Sequence, residues 1–310
     1  MENNKIIVVG SANMDIYVMA SHLPEPGETV ISKGYLMTVG GKGANQAVAA
    51  RKLGANVLMI GKVGNDAFGQ QILDTLNFYE LDLRYFQIDE NADSGMAVII
   101  VDEQPQNEIV VTPGSNMRLS LNDINQAKND ISTAAVVLAQ LEVPVEIVDR
   151  TADIVAQGDG LFILNPAPAV PLSKELLEKV DILTPNQTEA KILTGLEVET
   201  LAGAELAGKK LISMGVKKVV MTLGEKGAMI IQDNYADYIP AYKINDAIDP
   251  SGAGDAFMGG LAVGLTNGML LNEATKYGNL IGGLSTKKHG AMPSMPSLKE
   301  VNNFLNIIRR

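Results

Sequence analysis

Ile6-Ile7-Val8-Val9-Gly10-Ser11-Ala12-Asn13-Met14-Asp15 sets the reading of the whole chain. Four consecutive apolar residues leave no polar face, as in a strand of a parallel sheet covered by helices on both sides. Gly10 and Ser11 end the run, and Asn13 and Asp15 stand just past it. Open α/β sheets bind their ligands beyond the C-terminal ends of their strands. Asn and Asp also build turns, so these two residues alone support either role.

The same order recurs downstream. Val57–Ile60, Leu83–Ile88, Ala135–Ala139, Leu161–Leu164, Ile182–Thr184 and Lys218–Thr222 read as strands. Phe68–Phe78, Leu121–Ile131, Val145–Ala156 and Ala202–Met214 read as helices, with Glu273–Ser285 and Pro296–Ile308 closing the chain. Such alternation predicts a three-layer αβα fold with a central, mainly parallel sheet. Asn13, Glu142, Asn165, Asn186 and Thr222 all follow strands, which describes one active-site rim built from several strand ends. Ile16–Met19, Glu28–Val39, Ser94–Asp102 and Glu108–Thr112 behave differently, because strand follows strand with no helix between. They predict a small β-sheet lid spanning 13–40 and 93–112, set on an α/β domain of 1–12, 41–92 and 113–310. A lid excludes water from a reaction centre. An apolar outer face on it would favour a homodimer.

Two glycine-rich stretches open helices. In Gly40-Gly41-Lys42-Gly43-Ala44-Asn45-Gln46, the glycines allow close backbone approach to a ligand that Lys42 and Asn45 could touch. In Asp249-Pro250-Ser251-Gly252-Ala253-Gly254-Asp255-Ala256-Phe257, a helix N-terminus offers unpaired N–H groups to an anion beside an acid, Asp255. An isolated Gly-Ala-Gly-Asp is more often a capped helix start. Beside the other stretches, it suits phosphoryl transfer, which depends on positioning and charge stabilisation. Asn186 and Glu189 open a third helix. There Glu189 is either a dipole partner or a water-mediated magnesium ligand near phosphates.

Composition narrows the classes. The 310 residues carry a net charge of −11 and no basic run, which disfavours nucleic acid and anionic membranes as partners. There are no cysteines, which excludes disulfides and thiol chemistry and suits a cytoplasmic protein. No leader-like segment or membrane-length apolar run is present. The two histidines, His22 and His289, have no partners at zinc or triad spacing. Gly203–Lys210 nearly matches a P-loop, but Lys210 replaces the hydroxyl residue and the stretch reads as helix. No Gly-x-Gly-x-x-Gly occurs, which disfavours a dinucleotide-dependent dehydrogenase.

Seven stretches together resemble the ribokinase-like (PfkB) family of sugar and nucleoside kinases over essentially the whole chain. They are Gly-Ser-x-Asn-x-Asp at 10–15, Gly-Gly-Lys-Gly-Ala-Asn-Gln-Ala at 40–47, Leu-Glu at 141–142, Asn-Pro-Ala-Pro-Ala at 165–169, Thr-Pro-Asn-x-x-Glu at 184–189, Thr-Leu-Gly-x-x-Gly at 222–227 and Gly-Ala-Gly-Asp-x-Phe at 252–257. The resemblance implies transfer of the ATP γ-phosphate to the 5-hydroxyl of D-ribose, with magnesium. Asp255 would be the base, and Gly252, Ala253 and Gly254 the anion hole. Asn13, Asp15, Gly41, Lys42, Gly43, Asn45 and Glu142 would surround the sugar. Asn186, Thr222, Gly224, Gly227, Gly254 and Asn279 would line the nucleotide. A monovalent-cation site, usually potassium, would fall at Asp249, Ser251, Ser285, Lys288, Gly290 and Ser294. The family usually has Asp-Thr-Thr where this chain has Asp249-Pro250-Ser251. Proline lacks an N–H, so an altered cation loop is expected if that group is normally bonded. Kinases of 2-deoxyribose, of another sugar or of a nucleoside, and a non-catalytic sugar-binding regulator, are the competing readings.

Overall fold

In the computed structural model, residues 4–102, 107–233 and 235–308 are described. Parts of the expected domain segments, 1–3, 103–106, 234 and 309–310, therefore lie outside the described residues. An eight-stranded sheet forms the centre, in the spatial order Tyr235–Pro240, Gly227–Gln232, Val219–Thr222, Ile182–Leu183, Leu161–Leu164, Val136–Ala139, Lys5–Val9 and Asn56–Ile60. The pairs from Val219–Thr222 to Asn56–Ile60 are all parallel. Two apolar clusters cover the faces. One holds the side chains of Ile6 and Val8 with the helices Lys42–Lys52 and Ala253–Thr266. The other holds Ile7 and Val9 with the helices Val145–Val155 and Leu201–Ser213. Alternate residues of one strand thus feed opposite layers, as the pleat requires.

The chain leaves Lys5–Val9 to build Asn56–Ile60 on one side and later Val136–Ala139 on the other. This reversal makes a crevice beyond Val9, where open sheets take ligands. A second sheet of four strands, ordered Gly34–Gly40, Asn13–Met19, Gly95–Val101 and Asn107–Thr112, stands apart from the first. Its outer pairs are antiparallel, and the central pair, Asn13–Met19 with Gly95–Val101, is parallel.

Several sequence expectations differ from this. Gly227–Gln232 and Tyr235–Pro240 form an antiparallel hairpin where no strand is expected. Glycine at its start and Asp233 at its turn obscure the apolar run. Leu83–Ile88 is not a core strand; only Gln87–Asp89 pairs, with Lys62–Gly64. The expected strand Glu28–Val39 is confined to Gly34–Gly40. Leu121–Ile131 divides at Ala127 into the helices Leu121–Gln126 and Lys128–Ser132. The P-loop-like Gly203–Lys210 lies inside the helix Leu201–Ser213. No described helix is long and apolar enough to cross a membrane.

Candidate active site

Asp255 occupies the first turn of the helix Ala253–Thr266 and is 8% exposed. Its position is set by close contact with the helix Lys42–Lys52. A Cβ on Gly259 would come within 2.5 Å of the Ala49 Cβ, so glycine is required for the two helices to approach this closely. That approach brings Asn45 and Gln46 to the carboxylate. Asn45 Nδ2 donates to Asp255 Oδ2 at 3.0 Å, and Gln46 Nε2 donates to Asp255 Oδ1 at 3.0 Å. Gln46 Oε1 in turn accepts from Gln140 Nε2 at 2.7 Å. The Asn45 side-chain oxygen, Oδ1, is buried without a hydrogen-bond partner.

Burial raises the pKa of Asp255, opposed by Lys42 and by the Gln46 and Asn45 bonds and reinforced by Glu142. Asp15 is pushed up to about 7, by burial first and then by the charges of Glu142 and Asp255, with Lys42 pulling the other way. Burial pulls Lys42 down, but Asp255, Glu142, Glu189 and Asp15 together outweigh it and hold the ammonium above its ordinary value. One cation therefore faces four carboxylates from four separate stretches. Glu142 is anchored by Ser11 Oγ and by the Lys42 backbone N–H, the latter at 3.0 Å. These bonds join the ends of Lys5–Val9 and Val136–Ala139 across the crevice.

Asn13 and Asp15 begin the first strand of the small sheet rather than ending a strand of the large one. Glycine flanks both. A Cβ on Gly40 would sit 1.9 Å from Asp15 Oδ2, and a Cβ on Gly41 would sit 2.9 Å from Asn13 N. One on Gly43 would meet Ser11 N at 2.6 Å. The three glycines thus let Ser11, Asn13 and Asp15 approach the start of the helix Lys42–Lys52.

On the other side of Asp255 lies a cavity of about 850 Å³. Asn186, Thr222, Gly224, Gly227, Gly254 and Asn279 all line it, as do Lys42, Glu189 and Asp249. The unanticipated hairpin contributes the wall that runs on into Ala241–Ile244. Asn279 Nδ2 is bonded to the Ile239 carbonyl at 3.0 Å, which fixes it to that hairpin. Nothing lies within 4 Å of a Cβ position on Gly254, which faces open space. The first bond of its helix runs from the Ala256 N–H to the Gly252 carbonyl at 2.8 Å, and Gly252 has φ +73°. The Ala253 N–H bonds the Pro250 carbonyl at 3.1 Å. Of the three expected anion-hole residues, Ala253 has its donor committed, while Gly252 and Gly254 flank it.

Asn186 and Glu189 realise the helix-start reading of their stretch. The Asn186 side chain caps Glu189 N at 2.8 Å, and Glu189 Oε2 accepts from Asn186 N at 2.8 Å. Burial raises Glu189, partly offset by the Asn186 bond and by Lys42, with Asp255 adding to the rise. Its oxygens are engaged, which fits a glutamate that reaches a metal through water. Among the described residues no three Asp, Glu or His side chains converge as a metal cage.

In the expected cation loop, Asp249 Oδ1 accepts from Ser251 N at 2.8 Å and Oδ2 from Gly290 N at 2.8 Å. Asp249 therefore closes the loop without needing an N–H from residue 250. Ser285 Oγ and Ser294 Oγ donate to the Gly282 and Ala291 carbonyls at 2.8 and 2.7 Å, which leaves their oxygens as acceptors. The Lys288 ammonium is turned outward to Glu300 at 2.6 Å. Only the Lys288 backbone could serve a cation.

Comparison with known proteins assigns the class. The chain belongs to the pfkB family of carbohydrate kinases, whose profile matches residues 3–298, and it is accordingly a phosphotransferase acting on a sugar hydroxyl. It is 37% identical to a ribokinase of Staphylococcus aureus (strain COL) over 301 residues, covering 96% of this chain and 99% of that one. It is 35% identical to a deoxyribokinase of Salmonella typhi, covering 97% and 99% of the two chains. A solved structure of Arabidopsis thaliana ribokinase with ribose and ATP superposes with a TM-score of 0.91 at 33% identity, covering 98% of this chain and 99% of that one.

Proposed function

We propose that this chain transfers the γ-phosphate of ATP to the 5-hydroxyl of D-ribose. The observation that carries the reading is the placement of Asp255. It is a buried carboxylate held by two amides, between a cluster of sugar-type donors and acceptors and a cavity of nucleotide size. Asp15 and Glu142, with Asn13, Asn45, Gly41, Lys42 and Gly43, receive the sugar. Adjacent hydroxyls each need a partner when buried, and a carboxylate can accept from two. Asp255 takes the proton of the attacking hydroxyl. The N–H groups of Gly252 and Gly254, at a helix N-terminus, stabilise the charge of the transferred group. The cavity residues Asn186, Thr222, Gly224, Gly227 and Asn279 hold ATP. Magnesium, held mainly by phosphates and by Glu189 through water, would neutralise phosphate charge. The loop of Asp249, Ser251, Ser285, Lys288, Gly290 and Ser294 has the backbone and hydroxyl oxygens to suit potassium.

The sheet of 13–40 and 93–112 acts in this reading as a lid over the α/β domain. Tyr35 and Val110 are exposed on its face opposite Asp15, and a homodimer would cover them. The deoxyribokinase relative supports 2-deoxyribose as the second reading.

ADP release measured over ribose, 2-deoxyribose, fructose and nucleosides tests the assignment. Ribose should give the highest kcat/KM, and equal or better turnover of another acceptor overturns it. Asp255→Asn should still bind ribose but lose turnover by about a hundredfold or more. Near-normal turnover removes Asp255 as base.

A further inference from the structure

Asn116 has no role in the site described above, yet it is 1% exposed and uses both ends of its amide. Its Oδ1 accepts from the Ala12 N–H at 3.0 Å. Its Nδ2 faces three oxygens: the Ala12 carbonyl at 3.2 Å, the Pro113 carbonyl at 3.0 Å and Asn13 Oδ1 at 2.7 Å. Backbone groups have fixed donor and acceptor identity. A backbone N–H on one end and two carbonyls on the other therefore determine which end of the Asn116 amide is which. That assignment propagates. The atom of Asn13 facing Asn116 Nδ2 has to be its oxygen, so Asn13 turns its Nδ2 the other way. Among the described residues Asn13 Nδ2 meets no protein acceptor.

Gly95 supplies an independent sign of the same requirement. It is the strand partner of Asn13, and a Cβ there would lie 2.2 Å from both Asn116 Nδ2 and Asn13 Oδ1. Any side chain at position 95 would occupy the space in which this bond forms.

We propose that Asn116 is a positioning residue for sugar recognition: it locks the Asn13 amide so that Asn13 offers a donor, not an acceptor, to the substrate. The proposal rests on the reading that Asn13 meets the sugar. It fits the chemistry of the neighbours, because Asp15 and Glu142 as carboxylates can only accept. A hydroxyl that gives its proton to a carboxylate needs a donor for its own oxygen, and Asn13 is held to supply one. Asn116 also joins the two crossings into the small sheet, at Ala12 and Pro113, so the lock sits where that sheet meets the large one.

A double-mutant cycle of Asn116→Ser with Asn13→Ala, read as KM for ribose and KM for ATP, tests this. Each single variant should raise the ribose KM by about tenfold and leave the ATP KM unchanged, and the double variant should be no worse than Asn13→Ala alone. Additive losses, or a ribose KM untouched by Asn116→Ser, overturn the proposal. A ribose KM untouched by Asn13→Ala overturns it as well and also removes Asn13 from the sugar site, so the two failures are told apart. The wild-type enzyme gives a readout that does not depend on a folded variant. The Asn13 side-chain NH₂ resonance should shift on saturation with ribose while that of Asn116 stays in place. An unmoved Asn13 signal excludes the donor role.

Discussion

Asp15 shows how one residue ties stability and binding to pH with opposite signs. Its ordinary value is 3.8 and its folded value is about 7. Because the folded value is raised, its contribution to stability is fully present below about 4 and is lost as pH rises through about 7. Thermal melting from pH 5 to 8 should show the ligand-free wild type losing ground to Asp15→Asn as pH increases. A shift of this size corresponds to a few kcal/mol at most. Ribose affinity should run the other way. In the proposed reading ionised Asp15 accepts from two hydroxyls, so the ribose KM should rise as pH falls below about 7 in the wild type and stay flatter in Asp15→Asn. A ribose KM independent of pH between 6 and 8 would contradict the assignment of Asp15 to the sugar.

At the scale of elements, the site depends on how closely two helices can lie. Gly259 faces Ala49, and Gly278 faces Phe257, whose Cε2 would be 2.9 Å from a Cβ there. These contacts fix the helix that carries Asp255 against the helices Lys42–Lys52 and Leu271–Ser285. Gly259→Val overpacks the first contact and should cost about 1–3 kcal/mol of stability. It should also lower kcat, since Asn45 and Gln46 would no longer reach both oxygens of Asp255. Chemical denaturation and steady-state kinetics on the same variant check both expectations. Unchanged kcat with reduced stability would show that the carboxylate does not depend on this helix pair.

For the whole molecule, the small sheet carries two consequences. Its strand Asn13–Met19 carries Asn13 and Asp15, while Tyr35 and Val110 are exposed apolar side chains on the face opposite Asp15. In the proposed reading a second copy of the chain covers this pair. Light scattering should give a dimer mass for the wild type. Val110→Glu should shift that mass toward the monomer at micromolar concentration, because an added carboxylate would be buried against its symmetry mate. A monomeric wild type would remove the interface.

The sequence by itself determined the layered α/β order, the two glycine-rich helix starts and six residues, Asn186, Thr222, Gly224, Gly227, Gly254 and Asn279, that line one cavity. Each of these rests on local chemistry: a run of apolar residues, a glycine beside a polar side chain, a carboxylate in a first turn. The hairpin strands Gly227–Gln232 and Tyr235–Pro240 escaped for different local reasons: the first is buried but short and opens on a glycine, and the second is a half-exposed edge strand whose apolar pattern is weak. Gln46 stood inside a quoted stretch without a role, since only packing of one helix on another shows that adjacent residues, Asn45 and Gln46, hold the two oxygens of one carboxylate. Asn116 lies 103 residues from the amide it orients, in a short turn with nothing local to mark it. The raised pKa values of Asp15 and Asp255 likewise required the tertiary structure, which gathers Asp15, Glu142, Glu189 and Asp255 around Lys42. Charge in a sequence is a count, whereas charge in a fold depends on distance and on the exclusion of water.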